Sequence, residues 1–105
     1  NMEKLKGIYI IYGISDCPAC LRACASAMDL YPSHEYVFVN TDFSKSYREK
    51  LKLRYDVKTF PIIIFEENGC KTLVGGYDEL TSFIANREEY IDNSIPIKDN
   101  KKEPT

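Results

Sequence analysis

Apolar residues along the chain fall into short runs separated by polar, proline- and glycine-bearing stretches, and their spacing switches between two periods. Ile8-Tyr9-Ile10-Ile11-Tyr12 is an unbroken β-branched and aromatic run that stops at Gly13, the pattern of a buried strand. A helix should follow. Pro18 suits the first helical position, and Leu21, Cys24, Ala25 and Met28 then recur at i, i+3, i+4 and i+7, a single apolar face. The helix is expected to stop near Pro32. Glu35-Tyr36-Val37-Phe38-Val39 reads as a second strand, and Ser44 as the cap of a second helix with Tyr47, Leu51 and Tyr55 on one side. Pro61-Ile62-Ile63-Ile64-Phe65 is the strongest strand signal in the sequence. Glu66-Glu67-Asn68-Gly69 is hairpin-turn chemistry, Cys70 to Val74 the return strand, and Gly75-Gly76 its end. Asp78 reads as the N-cap of a last helix that faces Leu80, Phe83, Ile84 and Ile91 inward.

The predicted order is β-α-β-α-β-β-α. The first β-α-β is expected to be parallel with a right-handed crossover, and the last two strands an antiparallel hairpin. This is an α/β architecture, a four-stranded mixed sheet flanked by helices on both faces. Residues 1–92 form the domain, and the polar stretch 93–105, with Pro96 and Pro104, is expected as a poorly ordered tail.

At 105 residues the chain holds one core. With 14 Lys and Arg against 16 Asp and Glu, its formal net charge is −2. That balance argues against a generally basic nucleic-acid binder, which depends on clustered cations. No apolar run approaches the ~18–20 residues that span a bilayer, nor the ~7–15 of a signal-peptide core. Asn1 ahead of Met2 is set aside as an added residue. A small, soluble, monomeric, cytoplasmic domain without nucleic-acid or membrane partners is the expectation.

The cysteines change the picture. Cys17, Cys20 and Cys24 crowd into eight residues and Cys70 stands apart, too clustered for a disulfide scaffold. A zinc centre usually has two separated ligand pairs or a Cys/His mix, and the only histidine is His34, so no metal is expected. There remains Cys17-Pro18-Ala19-Cys20, a C-x-x-C between the first strand and the first helix, where open parallel sheets place their chemistry. The alternative is two core cysteines that stand three apart by chance. With Pro18 at the first helical position, Cys17 is the N-cap. Its sulfur can take the amides of Ala19 and Cys20, and the helix terminus favours thiolate. C-x-x-C thiols in such settings have pKa values of roughly 3.5–7.5 against ~8.5 for a free thiol. Cys17 is the expected nucleophile and the more buried Cys20 the resolving thiol. Asp16, an adjacent carboxylate, opposes the thiolate. Cys24 reads as core, Cys70 as an ordinary strand residue open to glutathionylation, and His34 as a solvated loop side chain.

Three motifs in order resemble the glutaredoxin branch of the thioredoxin superfamily over residues 7–92. Cys17-Pro18-Ala19-Cys20 is similar to C-P-Y-C, Thr59-Phe60-Pro61 to a T-V-P loop with cis-proline, and Gly75-Gly76-Tyr77-Asp78-Glu79 to a G-G-x-[ST/D]-D turn. The resemblance implies the thioredoxin-like fold and a thiol-disulfide oxidoreductase that uses glutathione on disulfide-bearing or glutathionylated client proteins. It further implies that Phe60, between Thr59 and Pro61, offers backbone to the glutathione cysteinyl unit. Gly76, Asp78 and Glu79 would hold the γ-glutamyl end. Lys58 would pair with the glycyl carboxylate, with Arg48 as a further contact. Two positions depart from the pattern. Ile14 stands where a Lys or Arg is common, and Ala19 replaces the tyrosine. They motivate a second reading, a glutathione-independent redoxin fed by a flavin reductase. A third reading, from another class, is an iron–sulfur or interaction module.

Overall fold

The computed structural model describes residues 7–94, and side chains as far as Arg87. The elements follow the expected order: β1 (Ile8–Gly13), α1 (Pro18–Met28), β2 (Glu35–Asn40), α2 (Lys45–Tyr55), β3 (Ile62–Glu67), β4 (Cys70–Gly75) and α3 (Tyr77–Ser94). They form one four-stranded sheet in the order β2-β1-β3-β4. β1 runs parallel to β2 and antiparallel to β3, and β3 pairs antiparallel with β4. The two apolar runs of the sequence are therefore the two central strands, paired Tyr9 to Phe65 and Ile11 to Ile63.

Alternation along these strands sorts side chains to two faces. Tyr9, Ile11, Ile63 and Phe65 meet Ala23 and Ala27 of α1 and Leu80 of α3 in the main core. On the other face, the half-buried hydroxyl of Tyr12 interacts with Tyr47 and Tyr55 of α2, which places that helix there and pushes the Tyr12 pKa up, chiefly by burial. The β3–β4 turn follows its Asn-Gly signal: Asn68 and Gly69 both have positive φ, +54° and +79°, which a type I′ turn requires at its central pair.

Three expectations fail in instructive ways. α1 ends at Met28, short of Pro32, and buries Cys20, Ala23 and Ala27 instead of the Leu21 and Met28 stripe. Leu21 is 71% exposed and Met28 53%. The reason is the way α1 lies on the sheet, which turns position 20 inward and with it 23, 24 and 27, one face at helical spacing. Alanines there let α1 lie close on Ile11 and Ile63, which bulkier side chains would prevent. Asp78 is the second residue of α3, not its cap. Gly76 holds the cap position, its carbonyl accepting from the Leu80 amide at 2.9 Å. His34 is half-buried rather than solvated, its ring 6.0 Å from that of Tyr9 and 5.9 Å from that of Phe65. The inward turn expected of Ile91 lies outside the described side chains, and the tail from residue 95 outside the described residues.

Candidate active site

The site begins where β1 runs out. After Gly13 the chain turns through Ser15 and Asp16, the latter with φ of +55°, a left-handed conformation that Asp tolerates better than most residues. Cys17 is extended (φ −125°, ψ 97°) and caps α1, with Pro18 next. The Cys20 amide donates to Cys17 Sγ at 3.2 Å. The sulfur thus satisfies one of the amides that a helix start leaves open. Of the two amides expected to reach it, only that of Cys20 does.

Cys17 and Cys20 are joined as a disulfide, their Cα atoms 5.2 Å apart. Cys17 is half-buried, whereas Cys20 is 1% exposed. Cys20 is thus the more deeply buried of the two sulfurs, as the sequence predicts. Asp16, next to Cys17, is exposed to solvent.

From the opposite side comes the loop before β3. Phe60-Pro61 is a cis peptide bond, and the Phe60 carbonyl oxygen lies 3.9 Å from Cys17 Sγ. Pro61 is buried, while Lys58 and Thr59 are exposed. Lys52 of α2 holds its ammonium 5.5 Å from the Phe60 ring centroid, within reach of a cation–π attraction. In the sequence Lys52 is one of the scattered cations Lys45, Arg48, Lys50, Lys52 and Arg54 of α2, a pattern indistinguishable from a solvated face.

Arg48, one helical turn before Lys52, is engaged elsewhere. Its Nη1 donates to the carbonyls of Thr41 at 2.8 Å and Asp42 at 3.2 Å, which ties α2 to the end of β2. At the start of α3, Glu79 Oε1 accepts from the Gly76 amide at 3.0 Å. This is half of a capping box, in which the third helical residue reaches back to the cap amide. Gly75 enters that turn at φ of +119°. Asp78 is exposed in the first turn of α3, where a carboxylate complements the positive helix end.

The two other cysteines stand apart from this arrangement. Cys24 is half-buried against the core, and burial pushes its thiol pKa up. Cys70 is exposed at the first position of the edge strand β4.

No protein-family model and no curated protein matches the chain. Solved structures do. Reduced Escherichia coli glutaredoxin is 24% identical, with a TM-score of 0.64 over 78% of this chain and 98% of that one. Glutaredoxin from Brucella melitensis is 20% identical, with a TM-score of 0.59 over 84% and 87%. Fasciola hepatica thioredoxin is 21% identical, with 0.53 over 79% and 82%. The chain has the thioredoxin-like fold. Within that thioredoxin-like fold the vicinal cysteines occupy the β1–α1 junction and face the cis-proline loop. Among the described residues, no helix is long and apolar enough to cross a membrane.

Proposed function

We propose that the chain is a glutaredoxin-like thiol-disulfide oxidoreductase that uses glutathione. The reading is carried by one observation: a half-buried N-cap sulfur, Cys17, is bonded to a buried partner, Cys20, and lies against the Phe60 carbonyl.

In the reduced protein, the Cys17 thiolate attacks a glutathionylated client at the glutathione sulfur. The client thiolate leaves and takes up a proton. A glutathione thiolate then attacks the same glutathione sulfur of the mixed disulfide, releasing oxidised glutathione and the Cys17 thiolate. With a protein disulfide, Cys17 forms a mixed disulfide with the client. Cys20 loses its proton and attacks Cys17 Sγ, the client departs as a dithiol, and two glutathiones later reduce the Cys17–Cys20 bond. The partially positive start of α1 lowers the charge cost on Cys17 both as attacking and as departing group.

The surroundings support a glutathione site in three places. The backbone of Phe60, between Thr59 and Pro61, would pair with the cysteinyl unit. The exposed Lys58 would meet the glycyl carboxylate, while Arg48 is available only beyond its bonds to Thr41 and Asp42. At α3 the γ-glutamyl carboxylate would take the Gly76 amide now held by Glu79 Oε1. Glu79, once displaced, would join Asp78 in facing the substrate ammonium.

The test is turnover of a glutathionylated peptide with glutathione and glutathione reductase. Cys17→Ser abolishes it, and Cys20→Ser retains a large share because the client route needs no second thiol. Full activity in the Cys17 variant refutes the assignment. Replacing glutathione by a flavin-dependent reductase separates this reading from that of a glutathione-independent redoxin, which Ile14 and Ala19 keep in view.

A further inference from the structure

The turn that delivers Cys17 is fastened to the far end of β2 by side chains that the redox reading leaves unused. Thr41, fully buried, donates both its amide (2.8 Å) and its hydroxyl (2.9 Å) to the Gly13 carbonyl. Two residues on, the Ser15 amide donates to Asp42 Oδ1 at 3.1 Å. Asn40 Nδ2 lies 3.4 Å from Ser15 Oγ, and Asn40 Oδ1 accepts from the Asp42 amide at 2.7 Å. Arg48 holds the same loop from α2 through the carbonyls of Thr41 and Asp42. Both ends of the Gly13–Ser15 stretch are thus held before the chain passes through the left-handed Asp16 into Cys17.

We propose that Asp42 is a positioning residue for Cys17, its carboxylate holding the Ser15 amide so that the turn sets the sulfur under the α1 amides and against Phe60. This rests on the redox reading of Cys17. It also bears on Ile14. Where the resembling family commonly has a cation in this turn, this chain has an apolar side chain and anchors the turn from β2 instead.

The Asp42 carboxyl is held below the usual carboxylate range by hydrogen bonds from the Ser15 hydroxyl and amide, then by Asn40 and the charge of Arg48. It is therefore ionised at neutral pH and accepts strongly. The charged groups facing the turn are Asp42 from the β2–α2 loop, Arg48 from α2 and Asp16 in the turn itself.

Positioning and simple charge predict opposite signs. A carboxylate near a thiolate disfavours it, so deleting Asp42 for its charge alone would make Cys17 more reactive. Deleting a tether loosens the sulfur from its amide donor and makes it less so.

The experiment uses the full chain in a Cys20→Ser background and follows iodoacetamide alkylation of Cys17 against pH, with the site resolved by peptide mass spectrometry. Asp42→Ala is expected to slow alkylation at pH 7 about five- to ten-fold, since small misplacements at reacting atoms cost up to ~100-fold, and to move the midpoint of the rate profile upward. Asp42→Asn keeps an oxygen for the Ser15 amide and stays within about two-fold of the parent. Because Asp42 is exposed, neither substitution opens the core, and unchanged circular dichroism is the control. An unchanged or faster Asp42→Ala variant overturns the proposal, as does an Asp42→Asn variant that falls as far as Ala. Alkylation requires no glutathione, so failed turnover of the parent on a glutathionylated peptide counts against the substrate reading alone.

Discussion

Gly13 is the position at which one added methyl group tests how tightly the sulfur pair is enclosed. An alanine Cβ there would stand 2.5 Å from Phe38 Cε1 and 2.8 Å from Cys20 Sγ. Ordinary contacts lie near 3.5–4.0 Å, so the neighbours must each give about 1 Å. They are not equally able to. Phe38 is 37% exposed on the edge strand β2 and can swing toward solvent. Cys20 is 1% exposed and covalently tied to Cys17, so strain there passes to the separation of β1 and α1. Overpacking of this kind costs about 1–3 kcal/mol. In a domain of this size each kcal/mol lowers Tm by about 4–8 °C, and the expected fall is about 5–20 °C. The cost is larger in the oxidised form, because a free Cys20 thiol can rotate away. If about 1.4 kcal/mol disappears on reduction, the reduction potential becomes less negative by about 30 mV. Thermal unfolding of Gly13→Ala in both redox states, with equilibration against glutathione buffers, measures both quantities. A Tm within about 2 °C of the parent in both states, with an unshifted potential, would show that Cys20 is not confined as described.

Other outcomes follow from single contacts. Ser44→Ala removes the hydroxyl that accepts from the Tyr47 amide at 3.1 Å; a loss of about 1 kcal/mol, read by urea unfolding, is expected. In the oxidised protein, iodoacetamide at pH 7.5 (a value set by the assay, about one unit below a free thiol's pKa) labels exposed Cys70 before Cys24, whose thiol is held protonated by burial; mass spectrometry that finds Cys24 labelled first contradicts this. For Asp42 the folded pKa is depressed, so its contribution is present above the unfolded value of about 3.9 and vanishes as pH falls through the folded one. An NMR titration should show the Ser15 amide shifting only below the usual carboxylate range, and a midpoint at or above the unfolded value contradicts it.

The order of elements along the chain, the helix starts at Pro18 and near Ser44, and the Asn68-Gly69 turn were legible because each depends on local chemistry: β-branched runs, a fixed proline φ, a hydroxyl cap, positive φ. The phase of α1 was not. Its buried stripe is Cys20, Ala23 and Ala27, residues weaker in hydrophobicity than Leu21 and Met28, and only the approach of the helix to the sheet selects them. Likewise Asp78 is the residue of that turn whose type resembles a cap, and three-dimensional geometry gives the reach-back to Glu79 and the cap to Gly76. At the site, the vicinal pair and its proline loop could be read from motifs. Lys52 and the Asp42–Ser15 tie could not, since the latter joins residues 27 apart in sequence.

Away from Cys17 and Cys20, the Arg87 guanidinium lies 4.6 Å from the Phe65 ring centroid and 5.6 Å from that of Phe83, with Glu67 at 3.3 Å. Those rings also meet Tyr9, near the opposite ends of β1 and β3 from Gly13 and Pro61. The molecule is therefore built with an anchoring pole and a reacting pole. Replacements around the sulfurs can retune their chemistry while the aromatic end keeps the architecture standing, a division of labour that lets one pole drift as the other stays put.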